Sequence, residues 1–283
     1  MVVAKSTPNK ATMKKVQPGS NAKAKAEGAA DERGTQGRLM LGTLEKSLRV
    51  LSAFDKHQPN LGLLKIAAAA NIDVSSAQRI VHTLTQLGYL DKNKDTKQYS
   101  VTVKCLSIGL HFLSTNSLID KANPYLVHLS QETDETINLT MLDDVDVVIV
   151  ARVLSRHILN TSAVIGTRMP AFCTAPGIAI LSKLPEADAA KILDRSDLRA
   201  YTKRTVTDRR QIMAKIRKAA RDGYATAFEE FMQNDASIAA AIVDAEGMPQ
   251  GAVNIAAPYA TLKDADTVRF SALVTRAAAA MSG

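Results

Sequence analysis

Along residues 74–101 the spacing of apolar side chains changes once, at Gly88, and the change dictates an order of elements. Upstream, Ala77, Ile80, Val81, Leu84 and Leu87 recur every three or four residues, the period of a helix buried on one side, predicted over about Val74 to Leu87. Gly88 tolerates the left-handed backbone that ends such a helix. Downstream, Tyr89-Leu90 and Gln98-Tyr99-Ser100-Val101 flank the polar run Asp91-Lys92-Asn93-Lys94-Asp95-Thr96-Lys97, the pattern of a hairpin with a basic tip. Two shorter helices come before. Thr43 is the expected cap of the first, whose apolar positions are Leu44, Leu48 and Leu51 with Val50 and Phe54 beside them; Pro59-Asn60 and Gly62 end it. The second covers Leu63 to Ala70, and Asn71-Ile72-Asp73 turns the chain into the third. Helix, helix, turn, helix and basic hairpin make a winged helix-turn-helix, with the hairpin as wing.

The third helix carries its chemistry opposite the apolar stripe. Ser75, Gln78, Arg79, His82 and Gln86 line that side, and Ser76 and Thr83 flank it. A helix face turned only to water usually carries Glu and Lys in helical pairs, whereas this one has no carboxylate. Arg can fork onto guanine and Gln can pair with adenine in a major groove, so double-stranded DNA is the predicted partner, with the wing residues Lys94 and Lys97 on the flanking backbone. Charge agrees. Residues 1–42 carry eight basic against three acidic side chains, 43–116 nine against five, and 117–283 nineteen against twenty. The net +8 therefore lies in the first 116 residues, as expected when one end meets a polyanion. Residues 1–38 contain neither Ile nor any aromatic and are predicted to be a disordered basic tail, too poor in apolar surface to fold.

Leu106 to Asn116 is apolar at Leu106, Leu110 and Leu113, with Ile108 and Phe112 nearby. A helix apolar on most sides needs a partner, either its own chain or a second copy meeting Leu44, Leu48 and Leu51. His111 reads as a packing residue. Pro124 is expected to start a helix ending near Thr133. Thr136 to Met141 and Asp146 to Val153 form a hairpin about the acidic turn Asp143-Asp144-Val145, which reads as plain turn chemistry. Helices follow over roughly 176–183, 186–194 and 208–222, the last capped by Thr207 and ended by Gly223. Strands over 224–228, 238–244 and 252–256 and a helix over 264–281 complete an antiparallel α+β domain. The predicted organisation is tail 1–38, winged helix-turn-helix 39–103, linker helix 104–119 and second domain 120–283.

Several classes are excluded. Two cysteines, Cys105 and Cys173, make neither a disulfide framework nor a four-cysteine zinc site. The five histidines show no metal spacing, and the chain lacks a nucleophile elbow, a phosphate loop and a dinucleotide fingerprint. No catalysis, metal or cofactor is expected. The uncharged stretches 106–119 and 169–182 fall short of the roughly 20 apolar residues of a membrane span, and the amino terminus lacks the apolar run of a signal peptide; a cytoplasmic protein with no membrane partner is expected. The absence of Trp and scarcity of aromatics argue against a stacking-based RNA binder.

Thr43-Leu44-Glu45-Lys46-Ser47-Leu48-Arg49-Val50-Leu51, Ser76-Ala77-Gln78-Arg79 and Leu84-Thr85-Gln86-Leu87-Gly88-Tyr89-Leu90 resemble the DNA-binding domain of IclR-type bacterial transcriptional regulators, and the likeness continues over about 240 of the 283 residues. The resemblance implies a winged helix-turn-helix joined by a linker helix to a GAF-like antiparallel-sheet α/β domain that binds a small organic acid effector. It also implies operator DNA as partner and a homodimer, with a dimer of dimers left open. In the segment 166–177, a loop of small residues enters a helix at Thr174, and a helix start offers free N–H groups to a carboxylate. The resemblance places the effector there, with Ala175 and Pro176 as the matching positions beside Thr174 at the helix start, and carries further pocket positions to Ala227, Ser237, Asn254 and Ala256. Several members present Asp, Cys and paired Ser residues at the last four. This chain has more Ala and fewer donors, and Pro176 removes an N–H. A larger, partly apolar acid, aromatic in class, is therefore expected over glyoxylate or pyruvate, with Arg152 and Arg168 as spare cations. Two other readings stay open: a sensor whose helix-turn-helix contacts protein, and an enzyme using the second domain.

Overall fold

The computed structural model describes residues 40–155 and 163–283, and the chain divides into two units at Ser107/Ile108. The expected tail lies outside the described residues. In the first unit α1 (Gly42–Leu51), α2 (Leu63–Ala69) and α3 (Val74–Gln86) precede the antiparallel pair β1 (Leu90–Lys92) and β2 (Tyr99–Val101). Val50, Leu61, Ile66, Ile80, Val81, Leu84, Leu90 and Tyr99 form one small core. Leu61 and Tyr99 exchange backbone hydrogen bonds of 2.9 and 2.8 Å, which tie the wing to the start of α2.

α3 ends in a Schellman motif. Tyr89 N–H donates to Leu84 O and Gly88 N–H to Thr85 O at 2.9 and 3.0 Å, with Gly88 at φ +78°. This turn carries the chain back over Leu84 and leaves Leu87 exposed, outside the stripe expected to bury it. Thr43 is not the cap of α1: the helix starts at Gly42 after Leu41, with no side-chain cap bond. On α1 only Val50 is fully buried, while Leu44 and Leu48 face solvent.

Helix α4 (Leu106–Thr115) crosses the division, with Leu106, Ile108, Leu110 and Phe112 exposed. His111 is exposed too, contrary to its packing role. α5 (Ser117–Thr133) starts seven residues before Pro124, because the Asn116 side chain accepts from the Leu118 and Ile119 N–H groups; Pro124 lies inside the helix. β3 (Thr136–Asp143), β4 (Asp146–Val153), β5 (Arg168–Pro170), β6 (Ala225–Phe228), β7 (Asp235–Val243) and β8 (Pro249–Pro258) form a six-stranded antiparallel sheet in the order β5-β4-β3-β8-β7-β6. α6 (Ala175–Leu181), α7 (Glu186–Arg195) and α8 (Arg209–Asp222) cover one face, and α5 with α9 (Asp264–Met281) the other. The cap of α8 is Asp208, whose carboxylate accepts from Gln211 N–H, and not Thr207.

The two faces differ in side-chain size. Ile137, Leu139, Ile238, Ile242, Val253 and Ile255 pack against α5 and α9. The alternate positions Thr136, Asn138, Thr140, Ser237, Ala239, Ala252, Asn254 and Ala256 point the other way, as the two-residue period of a strand requires. Small residues there leave room for α6 to approach closely, and beside the start of α6 they line a cleft.

Candidate nucleic-acid interface and ligand pocket

Asp73 caps α3: its Oδ1 accepts from the Ser75 hydroxyl at 2.6 Å and from Ser76 N–H at 2.7 Å. These bonds, the Ser75 hydroxyl first, hold the Asp73 carboxyl far below the usual carboxylate range. The Asp73 carboxylate is thus spent on the Ser75 hydroxyl and the Ser76 N–H of its own helix. Ser75, Gln78, Arg79, His82 and Thr83 are exposed and Ser76 half-buried. The Thr83 hydroxyl donates to Arg79 O at 3.0 Å.

The helix and the wing share one concave surface. Ser75, Gln78, Arg79 and His82 line a groove together with Lys92 and Tyr99, and Gln78 lines an adjoining one with Lys65, Lys92 and Lys97. Lys92 stands opposite Tyr99 in the strand register, its ammonium 5.2 Å from the ring centre. Lys94 is exposed at the wing tip, and Lys97, at φ +57°, folds its ammonium back onto Lys94 O at 2.5 Å. Sequence reasoning missed Lys65 and Lys92, although Lys92 lies in the basic hairpin it had identified.

In the second unit, strand register lays two rows of side chains across the cleft floor. Arg152, Asn138 and Asn254 stand directly opposite one another on β4, β3 and β8. One pleat along, Thr136, Ala256, Ser237 and Ala227 form the second row, on β3, β8, β7 and β6. Thr174, Ala175 and Pro176 form one wall, and Ile149, Met169, Phe231 and Met232 add apolar surface. The space enclosed is about 650 Å³, part of it open to solvent. All seven residues singled out from sequence for the effector line this cleft.

The cleft contains polar groups that sequence reasoning did not single out: Thr136, Asn138 and Asp235. Burial pushes the Asp235 carboxyl up to about 6, with the Arg152 charge opposing. Burial also lowers the Arg152 pKa, with Asp235 opposing. Arg152 Nη1 donates to Ala163 O at 2.5 Å. Of the two spare cations, Arg152 lines the cleft, whereas Arg168 is exposed and bonded to Asp143 and Asp146. The Thr174 hydroxyl donates to Pro170 O at 2.9 Å and makes no cap for α6, a helix of seven residues. Cys173 is buried, and burial, followed by the Glu230 charge, pushes its thiol up to about 12. Among the described residues no cluster of His, Cys, Asp or Glu suits a metal ion, and no helix is long and apolar enough to cross a membrane.

Both units match one family. The IclR helix-turn-helix domain matches residues 43–94, and the bacterial transcriptional regulator IclR C-terminal domain matches residues 110–283. The chain belongs to the IclR family. IclR proteins are DNA-binding transcriptional regulators, not enzymes. Among its relatives, the Pca regulon regulatory protein of Pseudomonas putida is 31% identical over 214 residues, covering 75% of this chain and 73% of the relative. A transcriptional regulator of Rhodococcus sp. RHA1 has a crystal structure similar to this one at TM-score 0.73 and 30% identity, covering 86% of this chain and 97% of the other. An IclR homolog of Microbacterium hydrocarbonoxydans, crystallised with 4-hydroxybenzoate, shares the fold at TM-score 0.69 and 21% identity, covering 84% of this chain and 97% of the other.

Proposed function

We propose that this IclR regulator reads a near-palindromic operator as a cytoplasmic homodimer, with dimers able to pair, and that a small aromatic acid modulates its binding. The observation that carries the DNA reading is the carboxylate-free flank of α3, exposed beside the lysines of the wing. Ser75, Ser76, Gln78, Arg79, His82 and Thr83 enter the major groove, and Lys94 and Lys97 meet the flanking phosphates. The domains run over 39–103, 104–119 and 120–283, with 1–38 as a basic tail. The exposed leucines of α1 and the apolar residues of α4 are the surfaces offered to a second copy.

The acid occupies the cleft, with Arg152 near its carboxylate, Thr174, Ala175, Pro176, Ala227 and Ala256 shaping the walls, and Ser237 and Asn254 on the floor. Apolar walls and the 4-hydroxybenzoate held by the Microbacterium homolog support an aromatic effector. The acid acts by favouring one arrangement of the dimer, since only differential affinity shifts such an equilibrium.

Arg79→Ala tests the DNA reading in a mobility-shift assay. The expected loss of operator binding is about 1–3 kcal/mol, and unchanged binding refutes the assignment. Operator affinity that stays flat as salt rises would instead favour a protein partner for the helix-turn-helix. A thermal-shift screen tests the effector: aromatic acids should stabilise the protein, and stabilisation by glyoxylate alone refutes the aromatic reading.

A further inference from the structure

The cleft floor contains two acceptors that no group among the described residues meets. Asn138 and Asn254 are 6% and 4% exposed, and the Oδ1 atom of each is buried without a hydrogen-bond partner. Their positions are directly opposed across β3 and β8, so both side chains leave the same face of the sheet, about 5 Å apart at the backbone. The Asn254 Nδ2 donates to Ser237 Oγ at 2.9 Å, which uses one of its two hydrogens, and Asn138, Asn254 and Ser237 all line the cleft. A buried acceptor left unmet is destabilising, so a ligand that supplies donors here gains over one that does not.

The chemistry of the row sorts ligands by end. Arg152, beside Asn138, is the one cation lining the cleft among the described residues. A carboxylate is drawn to it and repelled from the amide oxygens, since all three are acceptors. A keto oxygen is likewise an acceptor: it can take a hydrogen from an amide Nδ2, but it leaves both amide oxygens unmet. A hydroxyl on the ring is a donor, and the walls formed by Ile149, Met169, Phe231 and Met232 are apolar, as a ring face requires.

Building on the aromatic-acid reading above, we infer that the effector is a ring-hydroxylated aromatic acid whose hydroxyl hydrogens are accepted by Asn138 Oδ1 and Asn254 Oδ1, with the carboxylate toward Arg152. These two asparagines set the specificity of the cleft: the walls admit a benzoate, and the amide oxygens select its hydroxylated forms.

Calorimetric titration of the full chain with benzoate, 4-methoxybenzoate, 4-hydroxybenzoate and 3,4-dihydroxybenzoate tests this. A hydroxylated acid is expected to bind about tenfold or more tightly than benzoate and 4-methoxybenzoate, which lack the hydroxyl donor. In Asn138→Val and Asn254→Val the hydroxylated acids should fall toward benzoate, while benzoate itself holds or improves. Circular dichroism and urea unfolding report whether each variant is folded, and the ligand series on the unaltered protein stands without the variants. Equal affinity for benzoate and its hydroxylated forms overturns the inference and leaves the aromatic-acid reading intact. Failure of all four acids to bind overturns both. A preference for hydroxylated acids that survives in both folded variants removes the asparagines from it.

Discussion

Gly177 lies on α6, immediately after Thr174, Ala175 and Pro176 of the cleft wall, and its replacement by alanine sets helix propensity against packing. Propensity favours the change: Ala is better than Gly inside a helix by about 1 kcal/mol. Packing opposes it. A Cβ at Gly177 would stand 2.2 Å from the carbonyl oxygen of Ala171 and 2.4 and 2.6 Å from its Cα and carbonyl carbon, where ordinary contact begins at 3.4 Å. The helix and the turn at 171–173 must separate by about 1 Å, and the atoms in the way are backbone, so no side chain can swing aside. Overpacking of this kind costs about 1–3 kcal/mol, and rigid backbone on both sides places this case at the upper end. The net expectation is a loss of about 2 kcal/mol in urea unfolding of the second unit, with weaker ligand binding because Ala175 and Pro176 move with the helix. Gly109→Ala in α4 is the control, since nothing lies within 4 Å of a Cβ there; it should lose no stability. If Gly177→Ala unfolds at the same or a higher urea concentration than the unaltered protein, the close approach of α6 to Ala171 is refuted.

Lys94→Gln and Lys97→Gln should weaken binding to the operator and to unrelated duplexes alike, each reducing the salt slope by up to about one; a loss confined to the operator in filter binding would contradict a backbone role. Asp235, with its carboxyl raised from the ordinary value of 3.8 to about 6, binds a proton more tightly in the folded than in the unfolded chain. Its contribution is therefore most favourable below pH 4 and is lost as pH rises through 4 to 6, by up to about 3 kcal/mol. Asp235→Asn should flatten that limb of the unfolding-against-pH curve, and an unchanged limb would show that another group titrates. Iodoacetamide at pH 8 should alkylate the half-exposed Cys105 and spare the buried Cys173 in the native protein; prompt labelling of Cys173, read by peptide mass mapping, would contradict its burial.

What the sequence determined alone was local. The stop at Gly88 follows from a single backbone conformation and two hydrogen bonds between near neighbours, so period and glycine together were enough. The polar flank of α3 was legible because a helix fixes which residues share a face. Local signals failed where a competing group stood close by: Asn116 captured the start of α5 ahead of Pro124, and Asp208 displaced Thr207 as a cap. Tertiary structure decided the rest. β5 has three residues, too few for a periodic signal, and exists through pairing with β4. Alternation along each strand placed Thr136 with Asn138 and Asn254 with Ala256, but nothing local states that Asn138 faces Asn254 and Arg152 across three strands. Register is a long-range quantity, set when the large apolar residues of every strand are buried together against α5 and α9. The small and polar residues on the reverse face are then brought into line, and that alignment forms the cleft.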